Sequence, residues 1–142
     1  MTVGERQWRL VEDYSIVADP RERFQIIVET AAAAAPAFPE KARVDANLVP
    51  GCASRVWLEA VALADGTVAV WIDSESPALR AIGSLLARVY SGAPPQEILE
   101  TEPFFIGKLG IDRLLTPTRQ RSLRRLREGI VAKVSFLAAA GT

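Results

Sequence analysis

The chain has no histidine and a single cysteine in 142 residues. Without imidazole there is no Ser-His-Asp or Cys-His catalysis, and the common zinc sites go with it. One thiol excludes an intramolecular disulfide and a Cys-x-x-Cys redox pair, and it is too few for an iron–sulfur cluster, which takes about four ligands. A metal site built from carboxylates stays open, but no Asp/Glu group has the spacing of a calcium loop, and no metal-binding residue is assigned. Long apolar runs are missing too: "FLAAA" near the C-terminus is far shorter than a membrane span, and no membrane role is expected. Neither charge is in excess. Seventeen basic residues balance seventeen acidic ones, so no overall field draws in nucleic acid or an anionic membrane. The opening "MTVGERQWRLVEDY" is charged throughout and lacks the apolar centre of a signal peptide, which leads us to expect a cytoplasmic protein.

What is present suits one globular domain over residues 1–142, with 49% hydrophobic and 24% charged residues. Thr2 and Glu5 fit a capping box for a first helix over 2–18, with Trp8, Val11 and Tyr14 or Ser15 on one face. Asp19, Pro20 and Glu22 mark the start of a second helix, whose apolar residues are Phe24, Ile27, Val28 and Ala31 and which Pro36 ends. Residues 36–51 hold three prolines and read as a loop. "RVWLEAVAL" and "TVAVWID" alternate like strands, and Asp65-Gly66 between them is a hairpin signal. Ser76-Pro77 opens a third helix with Leu79, Ile82, Leu86 and Val89 inward, and Gly92 fits its C′ position. Short helical turns follow at Pro95 and in "PFFIGKLG". A last helix runs from Thr116-Pro117 toward Ala139, with Leu123, Leu126, Ile130, Val134 and Leu137 along one face. These elements predict an α+β fold, a small antiparallel β-sheet packed against several helices.

The candidate for chemistry is Cys52, in "VPGCASRVW". A lone cysteine serves either as a small buried apolar group or as a reactive sulfur, and composition alone tilts toward the buried group. Its setting favours the second use. Pro50-Gly51 makes a tight turn in front of it, on a loop that enters a strand. Arg55 is the nearby cation that could stabilise a thiolate, whereas burial against Trp57 would raise the thiol pKa and quiet it.

Several segments together resemble one family. "VPGCASRVW" is similar to the active-site motif of the SufE family, sulfur acceptors of iron–sulfur cluster assembly. "DSESPALRAI" at 73–82, "VYSGAPPQEIL" at 89–99 and "LLTPTRQRSL" at 114–123 resemble further family segments in the same order. Leu114, Glu75, Ala81 and Ser122 depart from its usual residues, and none of them falls in the cysteine motif. The resemblance implies a fold shared with IscU-type scaffolds and a persulfide relay. A cysteine desulfurase (SufS-like) carrying pyridoxal phosphate would hand its terminal sulfur to Cys52. The acceptor would thereby stimulate the desulfurase and then pass the sulfur to an iron–sulfur scaffold. Such a protein is a carrier and activator with no cofactor of its own, not a stand-alone enzyme. A single thiol suits the task, because it has no neighbour with which to collapse a persulfide into a disulfide.

Around Cys52, the supporting or partner-binding residues are Gly51, which shapes the turn, and Arg55, Asp73 and Arg119. Asp73 either starts the turn into the third helix or positions the cysteine loop. Arg119 lies in the family motif and opens a basic run through Arg127. That run falls on more than one helix face of a neutral chain, which argues against nucleic acid. The runner-up reading is a regulatory module that binds a desulfurase without carrying sulfur, and a third is an RNA-binding domain led by the arginine run.

Overall fold

The structure is a computed structural model and describes residues 1–141. Its elements are α1 (Val3–Tyr14), α2 (Pro20–Thr30), β1 (Val56–Ala62), β2 (Val68–Ser74), α3 (Pro77–Tyr90), α4 (Pro95–Glu100), α5 (Phe105–Lys108) and α6 (Pro117–Ala140). Short 3₁₀ turns at Ala32–Ala34, Glu40–Ala42, Asp45–Asn47 and Asp112–Leu114 tighten the connections. The fold is α+β, as the sequence predicts.

The helix starts follow local chemistry. Thr2 and Glu5 form the reciprocal box expected of them. Ser76 and Thr116 cap α3 and α6 ahead of prolines, whose missing N–H costs nothing in a first turn. Asp19 caps α2 through the Arg21 amide, while the reciprocal bond expected from Glu22 does not form among the described residues.

β1 and β2 pair antiparallel, with Leu58 opposite Ile72 and Trp57 opposite Asp73. The hairpin closes through Leu63 and Thr67, with Gly66 at φ +86° and the Asp65 carboxylate accepting from the Thr67 amide. Two strands alone are marginal in water, and helices supply the missing burial. α3 lies so close to β2 that a Cβ on Gly83 would stand 2.5 Å from the Ile72 Cγ2. α6 approaches β1 at Gly129, where a Cβ would meet Leu58 at 3.3 Å. Cross-strand partners share a face, so both helices cover the same side of the sheet. Leu58, Val70, Leu79, Ile82, Leu86, Leu126 and Ile130 fill the core between them.

A second expectation needs correction. The buried centre of α1 is Val3, Gln7 and Leu10, whereas Trp8 is 49% exposed and stacks on Phe104. Gln7 displaces the apolar choice because both ends of its amide find partners: it donates to the Glu102 carbonyl and accepts from the Phe105 amide. Among the described residues, no helix is long and apolar enough to cross a membrane.

Candidate functional site

Cys52 sits near the tip of a loop whose two sides are fastened before they reach it. The Val49 amide donates to the Val56 carbonyl at 2.8 Å, and Leu48 bridges to Trp57. Farther along, the Arg55 carbonyl accepts from the Glu75 amide and from the Ser74 hydroxyl. Residues 50–54 are therefore a short span between fixed ends. Gly51 takes φ +79°, a conformation that strains any residue with a side chain.

α6 closes the other side of the thiol. The Cys52 S–H donates to the Ser122 carbonyl at 3.8 Å, joining loop and helix across 70 residues of sequence. The sulfur is partly buried, and that burial pushes the thiol pKa above its ordinary value. The Ser122 hydroxyl and the charge of Arg125 pull in the opposite sense, because each favours the thiolate. In the thiol state the Ser122 hydroxyl donates instead to the Thr118 carbonyl at 3.2 Å. Burial is the larger effect, so Cys52 rests as a protonated thiol at neutral pH and is not a strong nucleophile in this seat.

Arg125 holds its place through Gly51 and Glu128. Its stem lies over the glycine, so that a Cβ at position 51 would come within 3.1 Å of Nε. Its guanidinium pairs with Glu128 at 3.2 Å. Beside it, Pro50, Gly51, Gly129 and Ala132 line an open cleft of about 420 Å³.

The residues singled out from sequence fall in different places. Gly51 makes the turn expected of it. Arg55 turns away from the sulfur to pair with Glu75 at 3.3 Å in an exposed position, and the cation acting on the thiol is Arg125. Asp73 lies on the outer face of the sheet and takes two arginines, Arg43 at 2.8 Å and Arg80 at 3.1 Å. The Arg43 guanidinium is held between Phe38 and Trp57, 5.0 and 4.9 Å from their ring centres. Asp73 thus ties the loop that leads to Cys52 onto the sheet, without touching the thiol. Arg119 donates its backbone amide to the Thr116 cap, and its side chain is exposed. Farther along the basic run, Arg127 donates to the Ile98 and Leu99 carbonyls and lies 5.2 Å over Tyr90, a structural use.

Sequence reasoning missed Arg125 and Ser122 as neighbours of the thiol. The available signal was the small-residue pair Ser122 and Gly129, seven apart on α6, where a helix lets a loop and a strand come close.

The fold and site together define a small α+β domain that holds one sheltered cysteine at a helix–sheet junction. The chain belongs to the SufE family: the family model, described as an Fe-S metabolism associated domain, matches residues 8–134. Its role accordingly lies in iron–sulfur metabolism. A chloroplastic quinolinate synthase of Arabidopsis thaliana is 30% identical over 106 residues, covering 75% of this chain. The match spans 15% of that relative's length. The solution structure of a hypothetical protein from Thermus thermophilus shares the fold with a TM-score of 0.75 at 24% identity, covering 94% of this chain and 96% of that one.

Proposed function

We propose that this protein accepts persulfide sulfur on Cys52 from a cysteine desulfurase and passes it to an iron–sulfur scaffold in the cytoplasm. The step balances without an oxidant. The Cys52 thiolate attacks the terminal sulfur of the donor's Cys–S–SH, and a new S–S bond forms on Cys52. The donor's own S–S bond breaks, and the donor leaves as a thiolate that takes up a proton. Clearing the donor in this way is what stimulates it. Pyridoxal phosphate stays with the desulfurase, and this chain works without a cofactor.

The observation that supports the reading is the setting of the thiol: single, on a loop with fastened ends, capped by the Ser122 carbonyl and next to one cation. Gly51 holds the turn, and Asp73 secures the preceding loop through Arg43. Arg55, Arg119 and the exposed part of the basic run present charge on the surface for the partner. In the free protein the sheltered seat protects the sulfur from stray oxidation, and docking must bring it out.

The test is intact mass after mixing the protein with a cysteine desulfurase and free cysteine, followed by alkylation and peptide mapping. We expect a gain of about one sulfur on the Cys52 peptide, lost on reduction and absent in Cys52→Ser. Binding and stimulation without any sulfur on Cys52, or stimulation that survives Cys52→Ser, would overturn the relay and leave a regulatory module.

A further inference from the structure

Away from Cys52, the first turn of α2 and the segment from α5 to the Asp112–Leu114 turn enclose a cleft of about 310 Å³. Arg21, Arg23, Lys108 and Arg113 line it with a single carboxylate, Asp19. That carboxylate is already committed to the Arg21 amide at 2.9 Å. Among the described residues, no carboxylate stands within ion-pair distance of any of the four cations. A chain with equal numbers of acids and bases has thus gathered like charges in one hollow, where they repel unless an anion joins them.

Arg23 sets this cleft apart from an ordinary basic patch. It is 9% exposed, and its Nη1 and Nη2 donate to the carbonyls of Val17 and Leu109 at 3.0 and 2.7 Å. Its Nε is buried without a partner. Two carbonyls fix the plane of the guanidinium but do not neutralise it, and a buried cation without counter-charge is costly. The eleven residues of α2 point the positive end of their dipole into the same cleft. Gly110, at φ +70°, keeps the facing turn free of a side chain: a Cβ there would come to 3.9 Å from the Arg23 Nη2.

We infer that this cleft binds a phosphoryl group, with Arg23 as its fixed buried charge and Arg21 and Arg113 as ligands from the rim. The forked donors of guanidinium match phosphoryl oxygens in pairs, and a helix N-terminus adds to the attraction. A lone carboxylate has too little charge and too few acceptors to satisfy three arginines and a lysine. The cleft lies at the small end of the roughly 300–1,000 Å³ range of small-molecule sites, which admits a phosphorylated metabolite as well as free phosphate. The inference does not depend on the sulfur relay.

The experiment is a titration of the full chain, at low salt, with phenyl phosphate and with inorganic phosphate, followed through backbone amide NMR shifts and with acetate as control. Saturating shifts are expected at Arg21, Glu22, Arg23 and Gly110–Asp112. Arg21→Gln and Arg113→Gln, both at exposed positions, should each weaken binding roughly tenfold. Tighter binding of phenyl phosphate assigns the group to an esterified ligand, and tighter binding of inorganic phosphate assigns it to the free ion; both support the site. Shifts that are absent, non-saturating, equalled by acetate or unchanged in the two variants would overturn it.

Discussion

Two helices reach the same face of the sheet through a glycine, and the two seams differ in what surrounds them. At Gly83 every neighbour on α3 from Ala81 to Ala87 is buried, and the backbone approaches Ile72 with no space to spare. At Gly129 contact with Leu58 and Val49 is looser, and the next turn of α6 opens into the cleft beside Gly51 and Arg125. The first seam is a closed joint between hairpin and helix. The second leaves room at its edge, next to Gly51 in the loop that carries the thiol. A small protein can thus hold a rigid scaffold and a sheltered sulfur beside a less tightly packed edge.

The contrast should show most strongly in stability. Gly83→Val drives two methyls into the branched Ile72 side chain and is expected to cost about 3 kcal/mol in urea unfolding. Gly129→Ala meets milder crowding, partly offset by better helix propensity, and should stay within about 1 kcal/mol. Equal costs at the two glycines would break the comparison. Gly51→Ala lies between them. Its φ of +79° and the nearby Arg125 should lower stability by about 1–2 kcal/mol, and alkylation of Cys52 should speed up as the loop loosens. Asp73→Asn removes both arginine partners from a partly exposed site and should cost about 1 kcal/mol. It frees Arg43 from Trp57, which tryptophan fluorescence will report.

The smallest change in stability belongs to Arg125→Gln, within about 0.5 kcal/mol because the side chain is half exposed. Its effect lies in the pH profile instead. Burial already raises the thiol pKa, so alkylation of the free wild-type protein should rise with pH through a midpoint above that of a model thiol. Removing the cation removes support for the thiolate, so the midpoint should climb further and labelling at neutral pH should slow. A midpoint that stays put or falls would show that Arg125 does not act on the sulfur.

The sequence disclosed the scaffold better than the site, for physical reasons. Caps at Thr2, Ser76 and Thr116 are made within a few residues, and so is the Asp65-Gly66 hairpin, so local pattern suffices to find them. Gln7 is buried by partners nearly a hundred residues away, which no helical periodicity records. The same distance problem hid Arg125. Arg55 is near Cys52 in sequence, but Glu75, brought alongside by the hairpin register, draws it outward. The turn at Gly51 was legible because Pro50-Gly51 is written into adjacent letters.

The bond between Cys52 and the Ser122 carbonyl also has a consequence in time. The shelter of the sulfur is built from a helix that begins 65 residues after it, counting from Cys52 to Pro117. During synthesis the cysteine therefore leaves the ribosome well before its cover exists, since chains fold as their segments emerge. Until α6 docks, the nascent chain carries a bare thiol with an ordinary pKa, more open to peroxide than the finished protein. For this protein the most vulnerable moment falls in its making, before the fold that covers the thiol is complete.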